Sequence, residues 1–140
     1  MSLTTVVRAA SGIVAVAVVM LSLSASAAAT LAGDPVKGKE VYVECAGCHD
    51  LKENRIGPHH CGVVGRKAGS LADFPGYSQA MKDSGLTWDV ATLDNFLKEP
   101  FSFVSGTLMG YFGIEDKQAR LDVIAYLQQA GGDPALCSKP

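Results

Sequence analysis

Cys45-Ala46-Gly47-Cys48-His49 is the stretch on which the reading of this chain turns. It is a C-x-x-C-H sequence, the pattern of covalent c-type haem attachment. On a tight helical turn the two sulfurs lie along one edge, where they can add to the two vinyl groups of a haem, while the adjacent imidazole reaches the iron. Three other uses of such cysteines compete: a thioredoxin-like dithiol, half of a zinc site, and structural cysteines. A dithiol calls for a βαβ context, which the flanking sequence lacks. A zinc site calls for a second ligand pair at regular spacing, and the other two cysteines, Cys61 and Cys137, are far apart.

Upstream of the motif the sequence changes character. Residues 1–33 carry Arg8 as their one charged side chain, followed by an apolar run from Gly12 to Leu23 and then small residues at Ser24 to Ala29. This is the order of a secretory signal peptide, with Ala25-Ser26-Ala27 as the small-residue cleavage signal. The expected organisation is a signal over 1–27, cut after 27 or 29, and one domain over 28–140. A membrane span needs about 20 consecutive apolar residues, and this run is shorter, so removal is expected over anchoring. The predicted location is the periplasm, where thiols can oxidise. With 12 Lys and Arg against 14 Asp and Glu, the chain is mildly acidic and has no basic run. That excludes a nucleic-acid role, which would need a basic patch.

No repeat and no alternating apolar and polar stretch calls for a sheet, so the fold class is all-α. Asp34-Pro35 supplies an N-cap and a first-turn proline for a helix over Val36 to Glu44, with Gly38, Val41 and Tyr42 on one face. Residues 45–75 are rich in Gly, Cys, His and Pro, which suits loops wrapped around something other than their own side chains. A short helix is predicted around Ser78 to Ser84. Another is predicted from a Thr87 cap to Glu99, stopped by Pro100. The last is predicted over Glu115 to Ala130, with Leu121, Ile124, Ala125 and Leu127 as its buried stripe and Gly131-Gly132 as its end.

Outside the signal there are two methionines, Met81 and Met109, so a sixth iron ligand has few candidates. Met109 is preferred because its glycine-flanked loop, Ser105-Gly106-Thr107-Leu108-Met109-Gly110, lets backbone approach a ring closely. Met81, within a short helix, suits packing. His59 and His60 remain alternatives, but their closeness to His49 in sequence places them on its side of the ring.

From Gly33 to Ala130 the chain resembles the class I cytochromes c of the mitochondrial and bacterial periplasmic type. The resemblance rests on Lys37-Gly38-Lys39, Cys45 to His49, Ile56-Gly57-Pro58, Gly62 to Lys67, Gly85-Leu86-Thr87-Trp88, Gly106 to Met109 and Ile124-Ala125-Tyr126-Leu127. It implies helices and loops around one haem c, covalent through Cys45 and Cys48, with His49 and Met109 on the iron. It implies that the Pro58 carbonyl accepts from the His49 ring N–H. It further implies that Arg66, Tyr77 and Trp88 serve one haem propionate and Thr107 the other, and that Gly38, Tyr42 and Tyr126 form a helix crossing. Phe96 stands where many relatives have a tyrosine directed at the methionine sulfur, and Met81 replaces an asparagine near the ring. The lysines that often surround the haem edge give way to Glu40, Glu44, Phe101, Ser102, Leu108, Glu115 and Asp116. Neither Cys61 nor Cys137 is needed for haem, and in an oxidising compartment they are expected to form a disulfide.

With both axial positions filled, the iron has no open position for substrate, which selects a carrier over an enzyme. The expected function is a soluble electron carrier cycling one haem c between ferrous and ferric states. Thioether ligation and burial should raise its potential. Partners would be larger redox proteins met by transient docking, with the membrane reached only through their complexes and the carrier itself monomeric. Two rivals stand beside this reading: a dedicated acceptor or subunit of a periplasmic dehydrogenase, and a haem peroxidase or gas-binding protein in which Met109 detaches.

Overall fold

The structure, a computed structural model, describes residues 32–137. The expected signal segment and both cleavage points lie outside the described residues. Among the described residues five α-helices occur: α1 (Pro35–Val41), α2 (Gln79–Asp83), α3 (Val90–Lys98), α4 (Pro100–Phe103) and α5 (Lys117–Gly132). A 3₁₀ turn, Tyr42–Glu44, continues α1. There is no strand among the described residues, only an antiparallel bridge between Lys67 and Thr87.

Helix α1 begins where an aspartate can satisfy free N–H groups: Asp34 accepts from the Val36 and Lys37 backbone, and Pro35 fills the first turn. It crosses α5 at Gly38, where a Cβ would overlap the Asp122 carbonyl. The missing side chain is what allows the two backbones to touch. One turn further, the Tyr42 and Tyr126 rings pack 5.2 Å apart. Asp122, buried in the crossing, accepts from the Asp34 N–H at 2.7 Å and from Gln118 at 2.7 Å. The Asp34 N–H holds its carboxyl below the usual range.

Helix α2 forms over nearly the predicted stretch, capped by the Ser78 hydroxyl, which accepts from the Met81 N–H at 3.1 Å. Helix α3 starts later than expected. Its cap is Asp89, which accepts from the Thr92 N–H at 2.7 Å, and not Thr87. The reason is tertiary: Trp88 donates to the Arg66 carbonyl at 2.9 Å and accepts from Gly65 at 2.8 Å. That pairing keeps the chain extended through Trp88. Pro100 ends α3 as expected, but it also opens the four-residue α4, at whose start its missing N–H costs nothing.

Helix α5 is shifted relative to the sequence reading. Asp116 caps it, accepting from Ala119 at 2.7 Å, and it runs through Gly131 and Gly132 to an Asp133 cap. Glycine disfavours a helix by only about 1 kcal/mol, less than tertiary anchoring can supply. Here that anchor is the Cys61–Cys137 disulfide, with Cα atoms 5.5 Å apart, which ties the tail to the loop after Pro58. The buried stripe also differs. Ile124 and Leu127 are buried as expected, joined by Val123, Tyr126 and Ala130, whereas Leu121 and Ala125 are half-buried against Gly33.

Two charged residues of α5, Arg120 and Asp122, are buried instead. Arg120 pairs with Asp94 at 2.6 Å and donates to the Ile114 and Glu115 carbonyls at 2.7 and 2.8 Å. A buried guanidinium is tolerable only when its donors are met in this way. It thereby fastens α3, α5 and the end of the 107–115 segment to one another.

Candidate haem site

The loops between α1 and α5 enclose a cavity of about 220 Å³. All nine residues expected from the sequence line it: Cys45, Cys48, His49, Pro58, Arg66, Tyr77, Trp88, Thr107 and Met109. Its apolar wall comes from Val63, Phe74, Leu93, Phe96, Leu97 and Leu127. Met81 lines it as well and is buried in the core, the packing role read for it from the sequence.

Cys45 and Cys48 sit on one turn that follows the Tyr42–Glu44 turn, with the His49 N–H donating to the Cys45 carbonyl at 2.9 Å. Neither cysteine is in a disulfide. Burial, and then the nearby Glu44 carboxylate, push the Cys45 thiol up to about 11. His49 is buried, and its Nδ1 lies 2.7 Å from the Pro58 carbonyl. A carbonyl can only accept, so Nδ1 carries the proton and Nε2 keeps its lone pair. Burial also lowers the tendency of this imidazole to protonate. A neutral ring with Nε2 free is the form that binds a metal.

The His49 ring is held by two close neighbours. Gly57 lies so near that a Cβ there would overlap the imidazole. The His60 ring stacks on it at 4.2 Å and 20°, and His60 Nδ1 lies 3.2 Å from the Tyr42 hydroxyl. His60 is therefore on the His49 side of the cavity, as the sequence indicated. Its role as a wedge fixing the His49 plane was not evident there, because stacking depends on how the 57–61 loop folds back.

Arg66 donates through Nη1 to the Cys61 carbonyl at 3.1 Å and through Nη2 to the His59 carbonyl at 2.9 Å. Its Nε is buried with no partner among the described residues. An orphaned cationic donor on a cavity wall is costly unless an acceptor comes to it. Trp88 is buried against Phe96, their rings 4.9 Å apart. Tyr77 is half-buried and packs edge-on to Phe74 at 4.9 Å. Thr107 is buried, and its hydroxyl accepts from the Met109 N–H at 3.2 Å, which fixes the backbone that presents the thioether.

The donor set fits a haem: two thiols on one edge, a neutral imidazole, a thioether, apolar walls for the ring, and an unpartnered cationic N–H for a carboxylate. An all-helical domain built around such a cavity is a protein with a covalently held haem. The comparisons make the class definite. The family model described as Cytochrome c matches residues 35–131. The chain is 48% identical over 120 residues to cytochrome c2 of Rhodomicrobium vannielii, covering 84% of this chain and 95% of the relative. It is 38% identical over 124 residues to cytochrome c-554 of Methylosinus trichosporium, covering 81% and 93%. Among solved structures, cytochrome cH from Methylobacterium extorquens superposes with a TM-score of 0.68 at 44% identity, covering 69% of this chain and 99% of that one. The chain belongs to the cytochrome c family, with the class I fold, and is an electron carrier with one haem c attached through Cys45 and Cys48.

Gly57, against the His49 ring, and Gly47, inside the motif, should respond unequally to an added methyl. Gly57→Ala forces the His49 ring to move and should lower holoprotein stability by about 1–3 kcal/mol in guanidinium unfolding. Gly47→Ala, where a Cβ meets nothing within 4 Å, should change it by less than about 0.5 kcal/mol. Equal responses would contradict the packing described for His49.

Proposed function

We propose that this chain is a monomeric, exported periplasmic carrier whose iron is ligated by His49 and Met109, and that it acts on no substrate of its own. The observation that carries this reading is the convergence of the Nε2 lone pair of His49 and the Met109 thioether on one cavity, with both attachment thiols at its wall. The bound haem supplies a one-electron ferrous/ferric couple. The protein's part is to hold that group and keep water from it.

Each residue of the set has a task in that scheme. Cys45 and Cys48 tether the ring, and the Pro58 carbonyl fixes the His49 tautomer and strengthens the ligand. Thr107 sets the Met109 backbone, and Arg66, Tyr77 and Trp88 stand ready for propionate oxygens. Phe96 provides no hydroxyl toward Met109, so the thioether keeps its full donor strength. Export is supported by the order of residues 1–29. No helix among the described residues is long and apolar enough to cross a membrane.

The open side of the cavity supports docking to a partner with an apolar centre and a basic rim. Ile56 is 80% exposed and Leu108 75% exposed at the cavity mouth, beside Glu44. Phe112, 92% exposed, lies beside Phe101 with the rings tilted and 6.2 Å apart. Glu40, Glu115 and Asp116 are exposed as well. Such a face favours a specific basic partner over one that reads a ring of lysines.

Two measurements test the reading. Redox titration should give a positive potential in a protein whose ferric form shows the long-wavelength absorption of methionine–iron bonding. Met109→His should lower that potential by on the order of 0.1–0.3 V, within the span that axial ligands control; an unchanged potential would exclude Met109 as a ligand. Electron transfer with a basic partner protein should slow as ionic strength rises. Acceleration with salt would reverse the sign assigned to the docking face.

A further inference from the structure

Residues 110–113 form one hydrogen bond among the described residues, the Tyr111 hydroxyl to the Glu44 carboxylate at 2.6 Å. The segment is held before it by the Met109 N–H on the Thr107 hydroxyl at 3.2 Å and after it by the Ile114 N–H on the Leu97 carbonyl at 2.8 Å. In between it has no regular structure. The two partners are 67 residues apart in sequence. Tyr111 lies two residues beyond Met109, and Glu44 directly precedes Cys45. Both line the cavity. This bond therefore joins the segment that presents the thioether to the segment that carries the thiols and leads to His49.

We propose that the Tyr111–Glu44 hydrogen bond is a latch that holds the Met109 segment closed, making both residues positioning residues for electron transfer and barriers to outside ligands. It rests on the His49 and Met109 ligation proposed above. A phenol donating to a carboxylate is among the stronger surface hydrogen bonds, and its short distance fits that class. Detachment of Met109 requires residues 107–114 to move away from the attachment turn; packing of Met109 and Tyr111 on the core and of Gly113 on the Lys98 backbone resists this, and the Tyr111–Glu44 bond is the hydrogen bond between Thr107 and Ile114 that opposes it. Closing the segment also separates a carrier from a protein that admits small ligands to the iron.

Imidazole, added to the ferric holoprotein at neutral pH and followed by stopped flow, probes the latch. Tyr111→Phe keeps the ring and all charges, and Glu44→Ala removes the acceptor from an exposed position. Each should speed imidazole binding about tenfold, the scale of one exposed charge-assisted hydrogen bond. Glu44→Gln, which retains an acceptor, should fall between. The double variant Tyr111→Phe with Glu44→Ala should be no faster than either single one, since both remove the same interaction. Because the bond is lost on unfolding too, the guanidinium unfolding equilibrium should shift by no more than the same tenfold, and a larger shift would make the effect one of general stability and overturn the latch. Wild-type rates in both single variants, or multiplied effects in the double variant, would overturn the latch. A wild-type ferric spectrum without the methionine–iron absorption would instead overturn the ligation reading beneath it.

Discussion

The covalent tether at Cys45 and Cys48 is the constraint on which the rest of the molecule depends. A chain of this size has few helices, and the largest apolar side chains of its core, Trp88, Phe96, Leu97 and Leu127 among them, point toward one cavity. They give that cavity the apolar walls a flat ring needs. Attachment fixes that group at the end of α1, so the α1–α5 crossing at Gly38 becomes the frame from which the cavity is measured. Folding and cofactor attachment are thus two aspects of one event.

Around that frame the two sides of the cavity are built differently. The His49 side is rigid: the imidazole is bonded to Pro58, backed by Gly57 and stacked on His60, and the loop is stitched by Arg66 and the Cys61–Cys137 disulfide. The Met109 side is an irregular segment secured at separate points by Thr107, Tyr111 and the Arg120 anchor at Ile114 and Glu115. A rigid side and a pinned side suit a centre that changes charge without changing shape. Under the proposed ligation they also place any ligand exchange at Met109.

Much of this was legible in the sequence because its signals are local. The C-x-x-C-H turn, the Asp34-Pro35 start and the glycine-flanked Met109 need only their neighbours to be understood. What was misread depends on distant partners. Thr87 is a reasonable cap until the pairing of Trp88 with Gly65 and Arg66 holds the chain extended. Arg120 and Asp122 of α5 lie outside the stripe that periodicity picks, yet each is buried because a matching group arrives from elsewhere: Asp94 and two carbonyls for one, the Asp34 N–H for the other. Leu121 and Ala125 were assigned to the core by periodicity, but the narrow crossing with α1 leaves them at its edge. The His60 stack and the Tyr111–Glu44 bond join residues whose types are ordinary and whose proximity only the fold creates.

Acid–acetone extraction of the purified protein, followed by intact mass, tests the central claim most directly. The account predicts that the colour stays with the polypeptide and that the mass exceeds that of the chain by one haem. Colour passing into the solvent, with a polypeptide of unmodified mass left behind, would contradict it.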